Sequence, residues 1–200
     1  MQSVGVVLAG GRSTRMGGGH KFMRRVGGSR IIEWVVERLR PQVSLLITST
    51  GAIAVPLEGG MIGVPDVVPD GGPLAGIHAA LTWAAVVLGP ETRIVTVPAD
   101  TPFIPPDLVR RFQGVADDPS SIVVAESASG PYYAVGSWPV GIAGDLGQWL
   151  GTSGSRSIRA FLAAHNSSIA RFDGDPDPFF NINTPADLAA AEVIALGIRA

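Results

Sequence analysis

The chain opens on an unbroken apolar run, Val4-Gly5-Val6-Val7-Leu8-Ala9, that stops at Gly10-Gly11-Arg12. A short β-branched run of this kind reads as a buried strand, and the segment from Gly10 to His20 is too polar and glycine-rich to continue it. Ile31, Val35 and Leu39 then fall on one helical face at i, i+4, i+8, with Ser29 as the expected cap and Pro41 as the stop. Strands are predicted over Val43–Thr48, within Met61–Val68 and over Arg93–Val97. Gly71-Gly72-Pro73 reads as a loop that leads into a helix through Ile77, Leu81 and Ala85. A further helix is expected from Pro106, with Leu108, Val109 and Phe112 turned inward. Ser121–Ala125, Tyr132–Ser137 and Ile169–Phe172 read as strands, and Ile142–Leu150 and Ser157–Ala164 as helices. The last helix has the fullest signal: Thr184 at the cap, Pro185 at the first position and Asp187 three residues after the cap. This alternation predicts an α/β fold, a single domain over residues 1–200. It has three layers, with helices on both faces of a mostly parallel sheet.

Composition narrows the chemistry. With 46% hydrophobic and 16% charged residues among 200, the chain has enough apolar material for one sizeable core. A net charge of -2 gives no electrostatic reason to expect nucleic acid or an anionic membrane surface, so a phosphate ligand needs a local basic site. The chain has no Cys, which excludes disulfides, thiolate metal sites and a Cys nucleophile. No apolar run approaches the roughly 20 residues of a spanning helix, and the start lacks a basic signal-peptide region. A cytoplasmic protein is expected.

Four segments carry candidate chemistry. In Leu8-Ala9-Gly10-Gly11-Arg12-Ser13-Thr14-Arg15-Met16-Gly17-Gly18-Gly19-His20-Lys21, glycines let backbone N–H groups approach an anion while Arg15 and Lys21 supply charge. The spacing is not that of a P-loop, since no hydroxyl residue follows Lys21, nor that of a dinucleotide fingerprint. Asp100, in Val97-Pro98-Ala99-Asp100-Thr101-Pro102, stands at the carboxyl end of a strand, where open α/β sheets bind ligands. A hard oxygen there suits Mg²⁺, although an Asp in Asp-Thr-Pro also serves simply to shape a turn. In Asn181-Ile182-Asn183-Thr184-Pro185, alternation at a strand end offers two amide side chains on one side for metal or phosphate; Asn183 equally suits the turn into the capped helix. Gly72-Pro73-Leu74-Ala75-Gly76 places small residues and free N–H groups at a helix start, which serves either an anion or close packing. His78 and His165 read as structural or exposed, and no histidine pair has metal-site spacing.

In this order the four segments resemble the molybdenum cofactor guanylyltransferase family, over nearly the whole chain. The resemblance rests on the Leu-Ala-Gly-Gly start, the Gly-Pro-Leu-Ala-Gly turn, the Asp-Thr-Pro segment and the late Asn-Ile-Asn-Thr-Pro. It implies a Rossmann-like nucleotidyltransferase fold and Mg²⁺-dependent transfer of GMP from GTP to molybdopterin, with proteins that deliver molybdopterin or receive the product as further partners. It also implies a nucleotide-binding half over residues 1–110 and an acceptor-binding half over residues 111–200. Leu8, Ala9, Gly10 and Gly11 would then border the nucleotide, with Ser49 and Asp66 as polar contacts to base or ribose. Arg15, Lys21 and Asp100 would be the catalytic groups, Lys21 on the phosphates and Asp100 on the metal. Gly76, Arg156, Asn181 and Asn183 would meet the acceptor. Related transferases that use CTP, or that act on sugar phosphates, share the first motif, and a non-catalytic nucleotide-binding homologue is the third reading. Two positions depart from the family pattern. His20 stands where an Asp commonly precedes the loop Lys, and Gly130-Pro131-Tyr132-Tyr133 replaces a His-Pro segment.

Overall fold

A computed structural model describes residues 3–10, 21–49, 61–66, 68, 71–153 and 155–199. Strand β1 (Ser3–Leu8) is buried along its whole length. Its side chains alternate as strand geometry requires, Val4, Val6 and Leu8 joining one core cluster and Val7 the opposite one. A hairpin of β2 (Arg25–Val26) and β3 (Ser29–Arg30) precedes α1 (Ile31–Leu39). Then come β4 (Leu45–Ser49), β5 (Ile62–Val64), α2 (Gly72–Leu88), β6 (Arg93–Pro98) and α3 (Leu108–Val115). The second half adds β7 (Ile122–Ser127), β8 (Gly130–Pro139), α4 (Ala143–Thr152), α5 (Ile158–Ala163), β9 (Ser167–Arg171) and α6 (Pro185–Arg199).

Seven strands form one sheet in the order β5-β4-β1-β6-β8-β7-β9. β5, β4, β1 and β6 run parallel, as do β7 and β9, and only β8 runs against its neighbours β6 and β7. One face is covered by α2, α4 and α5, whose Ile77, Leu81, Leu146 and Phe161 meet Val6, Ile94 and Trp138 of the sheet. The other is covered by α1 and α3, whose Val35, Leu39 and Phe112 meet Val7, Val95 and Val123. A third, smaller cluster fastens α6 through Ala191 and Ala195 to Val26, Ile31 and Trp34. The expected three-layer α/β/α arrangement with a mostly parallel sheet is therefore present. Among the described residues no helix is long and apolar enough to cross a membrane.

Three local expectations are corrected. Ser29 does not cap α1 but pairs with Val26 in the hairpin, and the Arg30 N–H donates to Glu33 Oε2 at 2.6 Å instead. Gly72 is not in a loop before α2; it is the first helical residue, with φ +63. Such an angle strongly favours glycine. Asn181 and Asn183 do not lie at a strand end, because the chain between β9 and α6 has no regular secondary structure.

Candidate functional site

The chain's course across the sheet explains where a site can form. It runs outward from β1 to β4 and β5, then returns to β6 on the other side of β1, so a crevice opens at the carboxyl ends of β1, β4 and β6. Those ends are tied together. The Ala9 N–H donates to Ser49 O at 2.8 Å, and the Ala99 N–H donates to Leu8 O at 3.0 Å. A 220 Å³ cavity opens there, bordered by Leu8 and Gly10 from the end of β1, Ser49 from β4 and Asp66 beyond β5. Gly72, Pro73 and Gly76 of α2 close one side, and Pro98, Asp100, Ala134 and Asn181 the other.

Ser49 and Asp66, far apart in sequence, meet here: Ser49 Oγ donates to Asp66 Oδ1 at 2.6 Å. Gly76 makes that pairing possible. A Cβ at this position would stand 2.5 Å from Ser49 Oγ and 3.3 Å from Leu8 Cδ2, so only glycine lets α2 approach β4 this closely. Gly76, expected on the acceptor side, thus lines the cavity beside Leu8, Ser49 and Asp66. Among the described residues the helix it belongs to starts without a side-chain cap, its N-cap being Gly71.

At the far wall, Asp100 is buried, and its Oδ2 is paired with the Lys21 ammonium. The same ammonium donates to Asn183 Oδ1 at 2.6 Å. The backbone enforces this meeting, because the Ile182 N–H donates to Asp100 O at 3.0 Å and buries the Ile182 side chain between the two Asn positions. Asp100 Oδ1 and Asn181 Oδ1 are both buried with no hydrogen-bond partner among the described residues. Two unpartnered buried oxygens on one cavity are costly unless something cationic or hydrogen-bearing completes them. A carboxylate and an amide oxygen are hard donors of the kind that Mg²⁺ accepts, with its remaining positions left for water and phosphate oxygens. The residues present therefore fit a small divalent cation.

A second, 370 Å³ cavity adjoins the first, sharing Pro73, Pro98, Ala134 and Asn181 with it. Its own walls are Tyr132 and Tyr133 of β8 and the segment Arg156–Arg159. Arg156 is fixed by its guanidinium, which donates to Leu150 O at 2.6 Å. The four expected acceptor-side residues thus separate: Arg156 lines the second cavity, Asn181 both, Gly76 the first, and Asn183 lies exposed on Lys21. Ala9 is buried at the crevice floor. Gly11, Arg15 and His20 lie outside the described residues.

Of the described histidines, neither His78 nor His165 lines either cavity. His78, on α2, packs against Gly147 with burial lowering its pKa, and His165 stacks on Phe161 with centroids 3.9 Å apart. Sequence reasoning marked Gly130-Pro131-Tyr132-Tyr133 only as a departure from the family pattern and did not single out Arg159, whereas the structure makes Tyr132, Tyr133 and Arg159 walls of the second cavity. The strand pattern over Tyr132–Ser137 was a further signal, since the start of β8 reaches past the carboxyl end of β6.

Comparison with known proteins gives the family and the fold. The MobA-like NTP transferase domain matches residues 5–169. A molybdenum cofactor guanylyltransferase of Rhizobium leguminosarum is 42% identical, over 98% of this chain and 94% of its own length. A molybdopterin-guanine dinucleotide biosynthesis protein A from Archaeoglobus fulgidus, 24% identical, superposes with a TM-score of 0.71 over 98% of this chain and 100% of that one. A Mycobacterium tuberculosis protein in complex with manganese, 22% identical, superposes at 0.68 over 96% of this chain and 99% of its own. These two structures share the fold.

Proposed function

The chain belongs to the MobA-like NTP transferase family, and from that premise we propose that it is a cytoplasmic, Mg²⁺-dependent enzyme that transfers GMP from GTP to molybdopterin. The observation that carries the reading is the cluster of Asp100, Asn181 and Lys21 at the junction of the two cavities, two unpartnered oxygens beside an ammonium. GTP takes the first cavity, its base and ribose toward Leu8, Gly10, Ser49 and Asp66. Molybdopterin takes the second, its phosphate toward Arg156 and Asn181. Residues 1–110 then supply most contacts to the nucleotide and residues 111–200 most contacts to the acceptor, with Ala134 and Asn181 crossing that division one way and Pro73, Pro98 and Thr101 the other.

In the reaction, an oxygen of the acceptor phosphate attacks the α-phosphorus of GTP. The bond from that phosphorus to the bridging oxygen breaks, and pyrophosphate leaves with the electron pair. A phosphate nucleophile is already ionised near neutral pH, so no general base is needed. The work is alignment and charge neutralisation. Asp100 and Asn181 would hold Mg²⁺, which supplies Lewis-acid charge on the phosphate oxygens. Lys21 moves its ammonium from Asp100 and Asn183 onto the leaving phosphates, aided by Arg15 of the glycine-rich loop. Pro73, Pro98, Ala134 and Asn181, common to both cavities, support a reading in which the two reactants meet end to end.

The test is product identity. Purified protein with Mg²⁺, molybdopterin and an equimolar mixture of GTP and CTP is expected to yield the guanine dinucleotide and pyrophosphate, read by mass spectrometry. A cytosine dinucleotide as the main product assigns the nucleotide otherwise. No dinucleotide of either kind removes the acceptor assignment.

A further inference from the structure

The walls of the second cavity come from separate stretches of chain, and the Asn181 wall lies in a segment without regular structure between β9 and α6. No ladder of backbone hydrogen bonds holds that segment against β8, so its position depends on individual contacts. Asp177 supplies several at once. Its Oδ2 accepts from Tyr132 Oη at 2.9 Å and from Ser127 Oγ at 2.8 Å, and its Oδ1 accepts from the Phe179 N–H at 2.8 Å. One carboxylate thereby joins β7, β8 and the segment that leads to Asn181. The Tyr132 ring rests on Phe179 with centroids 5.1 Å apart, and Phe179 is itself fully buried. Burial pushes the Asp177 carboxyl up, but donors from Ser129, Phe179, Ser127 and Tyr132 outweigh it and leave the group below the usual carboxylate range. It therefore accepts as an anion, which makes each of these bonds charge-assisted.

The Tyr132 hydroxyl is thus committed to Asp177, and its contribution to the cavity is the wall of the ring. Two residues past Phe179 comes Asn181, and at Ile182 the backbone is caught again by Asp100 O at 3.0 Å. The stretch from Phe179 to Ile182 is held by a carboxylate side chain at one end and by the carbonyl of the proposed metal ligand at the other.

We propose that Asp177 is a positioning residue for the acceptor, acting through Tyr132 and Phe179 to fix Asn181 and the Tyr132 wall relative to Asp100. The inference rests on the reading of the second cavity as the acceptor site. Asp177 lines neither cavity, so a role in catalysis must pass through the residues it holds. Displacements of about 1 Å at a reacting centre cost up to about a hundredfold in rate, so loss of the clamp falls on acceptor use and on the chemical step, and leaves Leu8, Gly10, Ser49 and Asp66 of the nucleotide cavity in place.

Two measurements on the full-length protein test it. In steady-state kinetics, Asp177→Ala is expected to raise KM for molybdopterin about tenfold or more while KM for GTP stays within about twofold. Tyr132→Phe should move KM in the same direction, and the double variant should be no worse than Asp177→Ala alone, because both act through one contact. If Asp177→Ala does not fold, Asp177→Asn with Tyr132→Phe serves the same cycle. By hydrogen exchange of the ligand-free protein, amides of residues 179–183 should exchange faster in the Asp177 variant than in wild type, with those of β1 and β6 unchanged. Unchanged exchange in that segment, an unchanged KM for molybdopterin in a folded and active variant, or additive effects in the double variant would each overturn the clamp. Wild-type protein that forms no dinucleotide would overturn the proposed function instead, and the exchange measurement would still decide whether the clamp exists.

Discussion

Lys21 and Asn183 stand 162 positions apart in the chain and share a hydrogen bond. The ammonium between Asn183 and Asp100 is paired with a wall residue of the first cavity, and in the proposed reaction it is the cation that meets the leaving phosphates. Its removal should therefore discriminate between ligands by charge. Lys21→Ala is expected to weaken GTP binding about tenfold to a hundredfold, the worth of a hydrogen bond to a charged group, and GMP binding much less. Calorimetric titration of both nucleotides reads this directly, and equal losses would place Lys21 on the base or in a purely structural role. Gly76 allows a sharper test of geometry. In Gly76→Ala, Ser49 Oγ can swing away from the new methyl group, but Ser49 Cβ, 3.2 Å from it, cannot. Overpacking of this kind costs about 1–3 kcal/mol, and the swing breaks the Ser49–Asp66 bond. A lower Tm together with a several-fold higher KM for GTP is expected; a lower Tm with unchanged KM would detach Ser49 and Asp66 from the nucleotide.

Among the elements, α6 is the one whose start was most legible from sequence. Thr184 Oγ1 accepts from the Asp187 N–H at 3.1 Å while Asp187 Oδ2 accepts from the Thr184 N–H at 2.8 Å, the reciprocal pattern that residue types three apart foretell. The same carboxylate accepts from the Asn183 N–H at 2.8 Å, so the cap also steadies the partner of Lys21. The Asn183 hydrogen bond first, then those of Thr184 and the charge of Lys21, against an opposing desolvation, hold the Asp187 pKa below its ordinary value. A carboxyl depressed on folding stabilises fully above its unfolded pKa and loses that contribution as pH falls through the folded one. Asp187→Asn should accordingly lower Tm by a few degrees at pH 7, about 2–4 °C per kcal/mol for a chain of this size, and the difference from wild type should close as pH falls below the ordinary carboxylate range. A difference that persists in acid would mean that side-chain packing, not charge, is lost. Signals of this local kind gave β1, α1, β6 and α6. Contacts such as Ser49–Asp66, Lys21–Asn183 and Asp177–Tyr132 were not legible, because they depend on the order in which strands are laid down. Ser29 shows the reverse error: its residue type suits a cap, but the hairpin with Val26 claims it and Glu33 serves Arg30 instead.

For the molecule as a whole, the reversed strand β8 is the feature that no periodicity announced. Its entry beside β6 brings Tyr132, Tyr133 and Ala134 over the carboxyl edge of the parallel strands and so places the second cavity against the first. Pro73, Pro98, Ala134 and Asn181 border both spaces. In the proposed reaction, a dinucleotide made across that boundary would occupy both cavities at once and would have to vacate both to leave. It is therefore a tenant that blocks either reactant from entering. Initial-rate measurements with added product should show inhibition competitive with GTP and also competitive with molybdopterin, whereas pyrophosphate should compete with GTP alone. Product inhibition that is competitive with only one of the two reactants would mean that the halves of the product can let go in turn. Turnover would then be limited by how quickly the cleft empties, so a protein that takes the finished dinucleotide from this one would act as an accelerator without touching the chemistry.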